Sequence, residues 1–234
     1  MTLVFIISAP SGSGKSTLVN AIKSSVDRLD FSVSYTTRKP RGSEEEGREY
    51  YYTSREVFER MIAQGQFLEY ADVFGNYYGT AKRFLDDAIT RGHDLLLDID
   101  VQGASQLQRR LPDAISIFIL PPTKQELEKR LRRRSSAERM TDEAVIQRRL
   151  ETASREIEKY REYGYILVND QLDDSIDALR AIILTERLKA TGREPSRADE
   201  KKMAELASQR RREFVEPSLG PILESFRSKE VQER

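Results

Sequence analysis

The chain has 234 residues, with 39 Lys and Arg balanced by 39 Asp and Glu, one His and no Cys. That length suits one sizeable domain with an insertion or a tail, and it is enough to bury a core. Zero net charge gives no global field toward nucleic acid or a membrane surface, and the lack of cysteine excludes a disulfide framework and thiol catalysis. The first apolar run lacks a charged flank and no stretch approaches ~18 apolar residues, so a soluble, cytoplasmic protein is the expectation.

Residues 3–7 read as a buried parallel strand. Ala9, Pro10, Ser11, Gly12, Ser13, Gly14, Lys15, Ser16 and Thr17 follow, and a helical pattern begins at Lys15. Strand, glycine loop, Lys-Ser and helix in this order form a phosphate-binding loop. Glycines let the backbone N–H groups turn inward on phosphate oxygens, and the helix adds its positive end. Lys15 can reach β- and γ-phosphates, and the Ser16 hydroxyl can ligate Mg²⁺. Ala9 replaces the usual first glycine, which requires only an ordinary negative φ there.

Apolar spacing extends the first helix to about Arg28, and residues 31–35 read as a second strand. The loop-rich stretch after it carries Arg38, Arg41 and Tyr50. Two arginines three apart beside a Pro-Gly loop suit an anion clamp, although a solvated charged loop has the same composition. Ser54 is a candidate cap for a helix over 56–64. Residues 67–74 alternate, so that Phe67, Glu69, Ala71 and Val73 share one strand face. Glu69 is thus a carboxylate among apolar or small neighbours, and such a group needs a partner, whether ligand or salt bridge. G-N-Y-Y-G-T over 75–80 reads as a tight turn presenting Tyr77 and Tyr78, with Thr80 capping a helix to Arg91.

Residues 94–100 read as a central strand with Asp98 and Asp100 on one face at its C-terminal end, the edge where parallel sheets bind ligands. A helix over 102–111 and a strand over 114–120 follow. Thr123 starts a helix, and Thr141 and Asp142 start another. The arginine-rich segment between them reads as a mobile lid, with a solvated helical face as the plain alternative. Residues 165–168 form the last core strand and 172–188 the closing helix. His93 lies at a glycine turn and is expected to be solvent-exposed. Beyond residue 190 a linker leads to a charged helix capped by Ser196 and running to about Glu213. An apolar group follows, with Leu219, Ile222, Leu223 and Phe226 on one helical face. It reads as a segment docked on its own core or as a subunit contact.

As a set, A-P-S-G-S-G-K-S-T, S-x-T-T-R-x-P-R with E-x-x-G-x-x-Y, F-L-E-Y, G-N-Y-Y-G-T, L-D-I-D-V-Q-G and the late V-N-D resemble the guanylate kinases over about residues 3–189. The resemblance implies an α/β fold: a P-loop NTPase-type parallel sheet flanked by helices, with an inserted small mixed β GMP-binding subdomain, a helical lid and a helical C-terminal extension. Its boundaries would be 1–33 and 81–189 for the core, 134–149 for the lid, 34–80 for the subdomain and 190–234 for the extension. It implies transfer of phosphate from ATP to GMP with Mg²⁺. Matching residues would hold the GMP phosphate (Arg38, Arg41, Tyr50, Tyr78) and the guanine (Ser34, Glu69, Thr80, Asp98). Asp100 would lie near the metal and the transferring phosphate. The lid arginines match Arg134 and Arg149 best, with Arg130 a further candidate, because Ser135 stands where the family has glycine.

Guanine presents N1–H and a 2-amino group on one edge, and one ionised carboxylate accepts both. Adenine would leave that carboxylate buried and unpaired, and sites of this kind discriminate by about 10⁴–10⁵. Two other readings are a non-catalytic guanylate-kinase-like interaction module and a kinase for another phosphorylated acceptor. An intact phosphate loop opposes the first, and Glu69 among its tyrosines opposes the second.

Overall fold

The computed structural model describes residues 1–42, 44–73, 75–137 and 143–227, and at 134–137 it describes the helix but not the side chains. The expected helix start at Thr141 and Asp142, Arg139, and the Arg134 side chain lie outside the described residues. The chain divides into two compact units, residues 1–8 with 19–116 and residues 9–18 with 117–234.

In the first unit β1 (Val4–Ser8) pairs in parallel with β7 (Asp94–Asp98), which also pairs with β2 (Leu29–Phe31). Phe5, Ile6 and Ile7 of β1 and Leu95, Leu96 and Leu97 of β7 are wholly buried, as expected of strands covered on both faces. Helix α1 (Lys15–Lys23) stops short of Arg28. Ser24 and Ser25 turn their hydroxyls back onto the Ala21 and Ile22 carbonyls, and Arg28 takes a left-handed φ of 53°.

The expected strand over 31–35 is divided between two sheets. Its end belongs to β3 (Tyr35–Thr36), which pairs with β4 (Tyr51–Tyr52) and with β6 (Asn76–Ala81). With β5 (Phe67–Val73) these make a separate four-stranded mixed sheet, order β4-β3-β6-β5. Helix α2 (Arg55–Ala63) begins at Ser54, whose hydroxyl accepts from the Val57 amide at 3.3 Å, as expected. Phe58 of α2 stacks on Phe67 and Tyr77, which fastens this helix to the small sheet.

Several local expectations need correction. G-N-Y-Y-G-T is mostly strand β6, and the turn closes ahead of it where Asp72 accepts from the Gly75 amide. Thr80 is therefore a strand residue facing Glu69, and Lys82 precedes α3 (Arg83–Arg91). The pairing register of β5 shifts between Phe67 and Glu69. This bulge breaks the expected common face: Phe67 packs on Phe58, whereas Glu69 lies beside Gly103. Strand β7 ends at Asp98, and Asp100 leaves it to cap α4 (Val101–Arg110). His93 is half-buried against Asp30 at 3.1 Å, not free in solvent.

The second unit contains β8 (Ile115–Leu120), α5 (Lys124–Ala137), α6 (Glu143–Ile157), β9 (Tyr165–Val168) and α7 (Leu172–Ala190), with β8 and β9 parallel. The central strands follow the order β2-β7-β1 in the first unit, and β8 lies beside β9 in the second. Beyond α7 come α8 (Ala198–Ser208), α9 (Arg212–Val215) and α10 (Gly220–Phe226). The charged helix thus ends at Ser208, with Arg197 at its cap, and Ser196 bonds Glu200 instead. The segment after α8 runs along β9: the Ile166 amide donates to the Arg210 carbonyl (2.8 Å), and the Arg212 amide to Gly164 (3.0 Å). It covers a strand edge that would otherwise offer unpaired backbone groups. Leu219 and Phe226 are buried, so the extension docks on its own unit, the plainer of the two sequence readings. Among the described residues no helix is long and apolar enough to cross a membrane.

Candidate active site

The donor side is built on the loop from Ala9 to Leu18. Gly12 and Gly14 adopt φ of 94° and 90°, and Ala9 needs no positive φ, as its side chain requires. A turn closed from the Ser13 amide to the Pro10 carbonyl (3.1 Å) curls the loop. Space also requires the glycines. A Cβ on Gly14 would stand 2.3 Å from Asn169 Nδ2, and one on Gly12 would stand 2.9 Å from a Leu131 methyl.

The loop is held from behind. Asn169 is buried and donates through Nδ2 to the Ser13 carbonyl at 2.7 Å. Arg130 donates through Nη1 to the carbonyls of Ser13 (3.4 Å) and Asn169 (3.2 Å), and its Nε is fixed by Glu126 at 2.9 Å. The Ser13 hydroxyl is buried with no hydrogen-bond partner. Lys15 is half-buried, and Ser16 and Thr17 are exposed on the first turn of α1. The loop-backing roles of Asn169 and Arg130 escaped the sequence reading, because V-N-D has no chemical signature of its own.

The arginine cluster divides. Arg132 grips Glu143 with two bonds (2.7 and 2.6 Å) and Glu128 with another, which staples α5 to α6. Arg133 and Arg148 are exposed, and Arg149 is half-buried on α6.

On the acceptor side, Glu69 of β5 is only 3% exposed and lies in register with Thr80 of β6. Among the described residues it forms no ion pair. Burial pushes its pKa up to about 7, and the nearby Asp100 charge adds to this. The Thr80 hydroxyl and amide and the more distant Arg110 pull the other way. That hydroxyl is buried beside the carboxylate and forms no regular hydrogen bond among the described residues. Asp100 Oδ1 accepts from the amides of Gln102 (2.7 Å) and Gly103 (2.9 Å) and so fixes the start of α4 beside Glu69. Asp98 ends β7, and Ser34 accepts from the Tyr51 amide through its carbonyl.

Arg38 is 8% exposed and tied at three points: to Tyr78 Oη (3.1 Å), the Lys39 carbonyl (2.7 Å) and Glu44 (2.9 Å). Its guanidinium lies 5.3 Å from the Tyr50 ring centroid, and Tyr50 meets Tyr78 edge to face. Three predicted residues, Arg38, Tyr50 and Tyr78, therefore form one cluster. Arg41 joins through its backbone amide, which donates to Glu44 at 2.8 Å. Burial would raise the Glu44 pKa, but the Arg41 amide, the Tyr52 hydroxyl and Arg38 together hold it low. Glu44 and Tyr52 are organising residues that sequence reasoning missed, although Glu44 opens the E-x-x-G-x-x-Y motif. A cavity of about 510 Å³ bordered by Ile62, Leu68, Lys82 and Arg110 contains none of these residues.

Comparisons with known proteins identify the family. The model of the family described as guanylate kinase matches residues 1–186. The chain is 58% identical over 186 residues to a guanylate kinase of Koribacter versatilis (strain Ellin345), covering 80% of this chain and 79% of that one. It is 48% identical to that of Methylococcus capsulatus (strain ATCC 33009 / NCIMB 11132 / Bath), covering 80% and 89%. The crystal structure of guanylate kinase from Anaplasma phagocytophilum superposes with a TM-score of 0.64 at 33% identity, covering 79% of this chain and 86% of that one. With its phosphate loop, its small mixed sheet and a match over most of its length, the chain belongs to the guanylate kinase family.

Proposed function

We infer that the chain transfers the γ-phosphoryl group of ATP to GMP, giving ADP and GDP, as a cytoplasmic enzyme of purine nucleotide metabolism. The observation that carries this reading is Glu69, a buried carboxylate that forms no ion pair among the described residues, with the Thr80 hydroxyl and amide beside it. Guanine supplies further donors and acceptors to both. Its N1–H and 2-amino group donate to the carboxylate, and its O6 or N7 can accept from a hydroxyl. Ser34 and Asp98 complete the base site in this reading, within a subdomain over 34–80.

Arg38, Arg41, Tyr50 and Tyr78 hold the acceptor phosphate. Glu44 keeps the Arg38 guanidinium presented, and Arg38 retains N–H groups beyond its three bonds. On the donor side the residues from Ala9 to Thr17 hold the ATP phosphates, the buried Ser13 hydroxyl having an acceptor to find. Magnesium fits this donor set. No cluster of three acidic or imidazole groups exists among the described residues, and Mg²⁺ on a nucleotide needs only one or two protein oxygens beside phosphates. Ser16 would supply one, and Asp100 would act through water. Bound there, the ion neutralises phosphate charge.

The attacking atom is a phosphate oxygen that is already anionic, so no general base is required. His93 is consistent with this, since it precedes β7 at the strand end opposite Asp98 and pairs with Asp30. Catalysis then consists of positioning and charge neutralisation by Lys15, Arg38, Arg134 and Arg149, with a lid over 134–149 excluding water.

A coupled ADP-release assay with GMP, dGMP, IMP, AMP and UMP tests the reading. Guanine nucleotides should exceed the others by 10³-fold or more in kcat/KM. Equal turnover of AMP would overturn it.

A further inference from the structure

We propose that Gly103 is a positioning residue for guanine selectivity, its missing side chain being the space in which the Glu69 carboxylate stands. This rests on the reading that Glu69 meets the base. A Cβ built on Gly103 would lie 2.3 Å from Glu69 Oε2, 2.9 Å from Cδ and 3.6 Å from Cγ, and those three atoms are its nearest neighbours. Real side chains do not tolerate the first two separations, so the carboxylate would have to move.

Nothing else requires glycine at this position. Gly103 has no positive φ and lies within helix α4, where glycine is among the poorest helix formers and alanine the best. Helix energetics alone would select alanine. The Gly103 amide is also fixed, since it donates to Asp100 Oδ1 at 2.9 Å, so the backbone cannot retreat without breaking the cap. Glu69 cannot retreat easily either. The side chain is 3% exposed, with the Thr80 hydroxyl and amide beside it and the Asp100 charge nearby, so a rotated carboxylate meets packed protein or a like charge. The carboxylate is confined between β6 and the first turn of α4, and Gly103 sets where its outer oxygen stops.

The test is a double-mutant cycle in the full-length chain, read as kcat/KM for GMP and IMP and as KM for ATP. IMP lacks only the 2-amino group. Gly103→Ala should raise KM for GMP and reduce the GMP-to-IMP preference at least tenfold, with KM for ATP within twofold of the parent. In a Glu69→Ala background, where the obstructed carboxylate is absent, adding Gly103→Ala should change nothing beyond twofold. A Gly103→Ala chain that fails to fold while the double variant folds reports the same clash and supports the assignment. If Glu69→Ala abolishes the preference but Gly103→Ala leaves it intact, the role of Gly103 is wrong and the guanine reading stands. If Glu69→Ala itself leaves the preference unchanged, the guanine reading fails as well. A double variant more impaired than Glu69→Ala would also overturn the proposal, because Gly103 would then act independently of the carboxylate.

Discussion

On the acceptor side Glu69 is a buried carboxylate that forms no ion pair among the described residues, whereas on the donor side Arg130 is a cation held by two backbone carbonyls and a glutamate. The first group is left without an ion pair among the described residues and the second is given one, to Glu126. A buried carboxylate without an ion pair costs stability, and that cost makes a ligand supplying further donors bind selectively. An arginine already paired within the fold does not discriminate in this way. It contributes by holding the phosphate loop in one conformation, so that backbone amides are already directed when phosphates arrive. Selectivity and rigidity are therefore assigned to different regions, and substitutions should separate them.

The largest separation is expected between Glu69→Ala and Gly14→Ala. The first should lower kcat/KM for GMP by about 10³-fold while KM for ATP stays within twofold, since the base loses its acceptor and the loop is untouched. The second forces a Cβ onto a backbone at φ 90° and onto Asn169. It should reduce kcat by at least ~10²-fold through the donor side, with GMP affinity by calorimetry preserved. Equal damage to both substrates in both variants would end the division of labour.

Next in size is the pH response. Guanine recognition needs Glu69 ionised, and its pKa is raised to about 7 by burial and by Asp100, with Thr80 and Arg110 opposing. Affinity for GMP should then climb almost tenfold per unit from pH 5.5 to 6.5 and level off above about 7.5. The acceptor phosphate also titrates near 6. Glu69→Gln separates the two contributions, because it should retain only the lower limb. A Glu69→Gln profile that still bends near 7 would dissociate the limb from this carboxylate.

Stability should move the opposite way. Because its folded-state pKa lies above the unfolded value of 4.5, Glu69 keeps a proton that the unfolded chain releases between about pH 4.5 and 7. Stability therefore falls as pH rises through that window, by at most about 3 kcal/mol from this group. Glu69→Gln should raise the denaturation midpoint at pH 8 and leave it nearly unchanged at pH 4.5. A variant that is less stable at pH 8 would show that the carboxylate contributes to the fold it was thought to burden.

The legibility of the chain follows the same contrast. Phosphate-loop chemistry was readable because strand, glycines, Lys15 and helix are contiguous. Glu69 was readable because a carboxylate in an apolar strand contradicts its surroundings. The bulge after Phe67 was not readable, since it arises from pairing with β6, and it is what turns Glu69 away from Phe67 toward α4. Asp100 was assigned to a strand because its local pattern matches one, and only the helix after it recruits it as a cap. Glu44, Asn169 and Arg130 act on backbone groups brought near by tertiary structure, which spacing along the chain does not encode. Glu44 is the one among them whose motif position offered a signal.

The smallest expected effects distinguish two arginines two positions apart on α5. Arg130→Ala removes two bonds to carbonyls that fix the loop, both long at 3.4 and 3.2 Å, and together they are taken as one charge-assisted bond of about 1.5 kcal/mol, about tenfold. KM for ATP should rise roughly tenfold, with KM for GMP unaffected. Arg132→Ala breaks more ion-pair contacts, to Glu128 and twice to Glu143, yet all of them are exposed to solvent. Salt screens such pairs and side-chain entropy offsets them, so the midpoint should shift by no more than ~2 °C and ATP kinetics should hold. If Arg132→Ala instead matched Arg130→Ala in KM for ATP, the hold on the donor loop would run through the α5–α6 staple. Arg130's bonds to the Ser13 and Asn169 carbonyls would then be secondary to the helix pair that carries them.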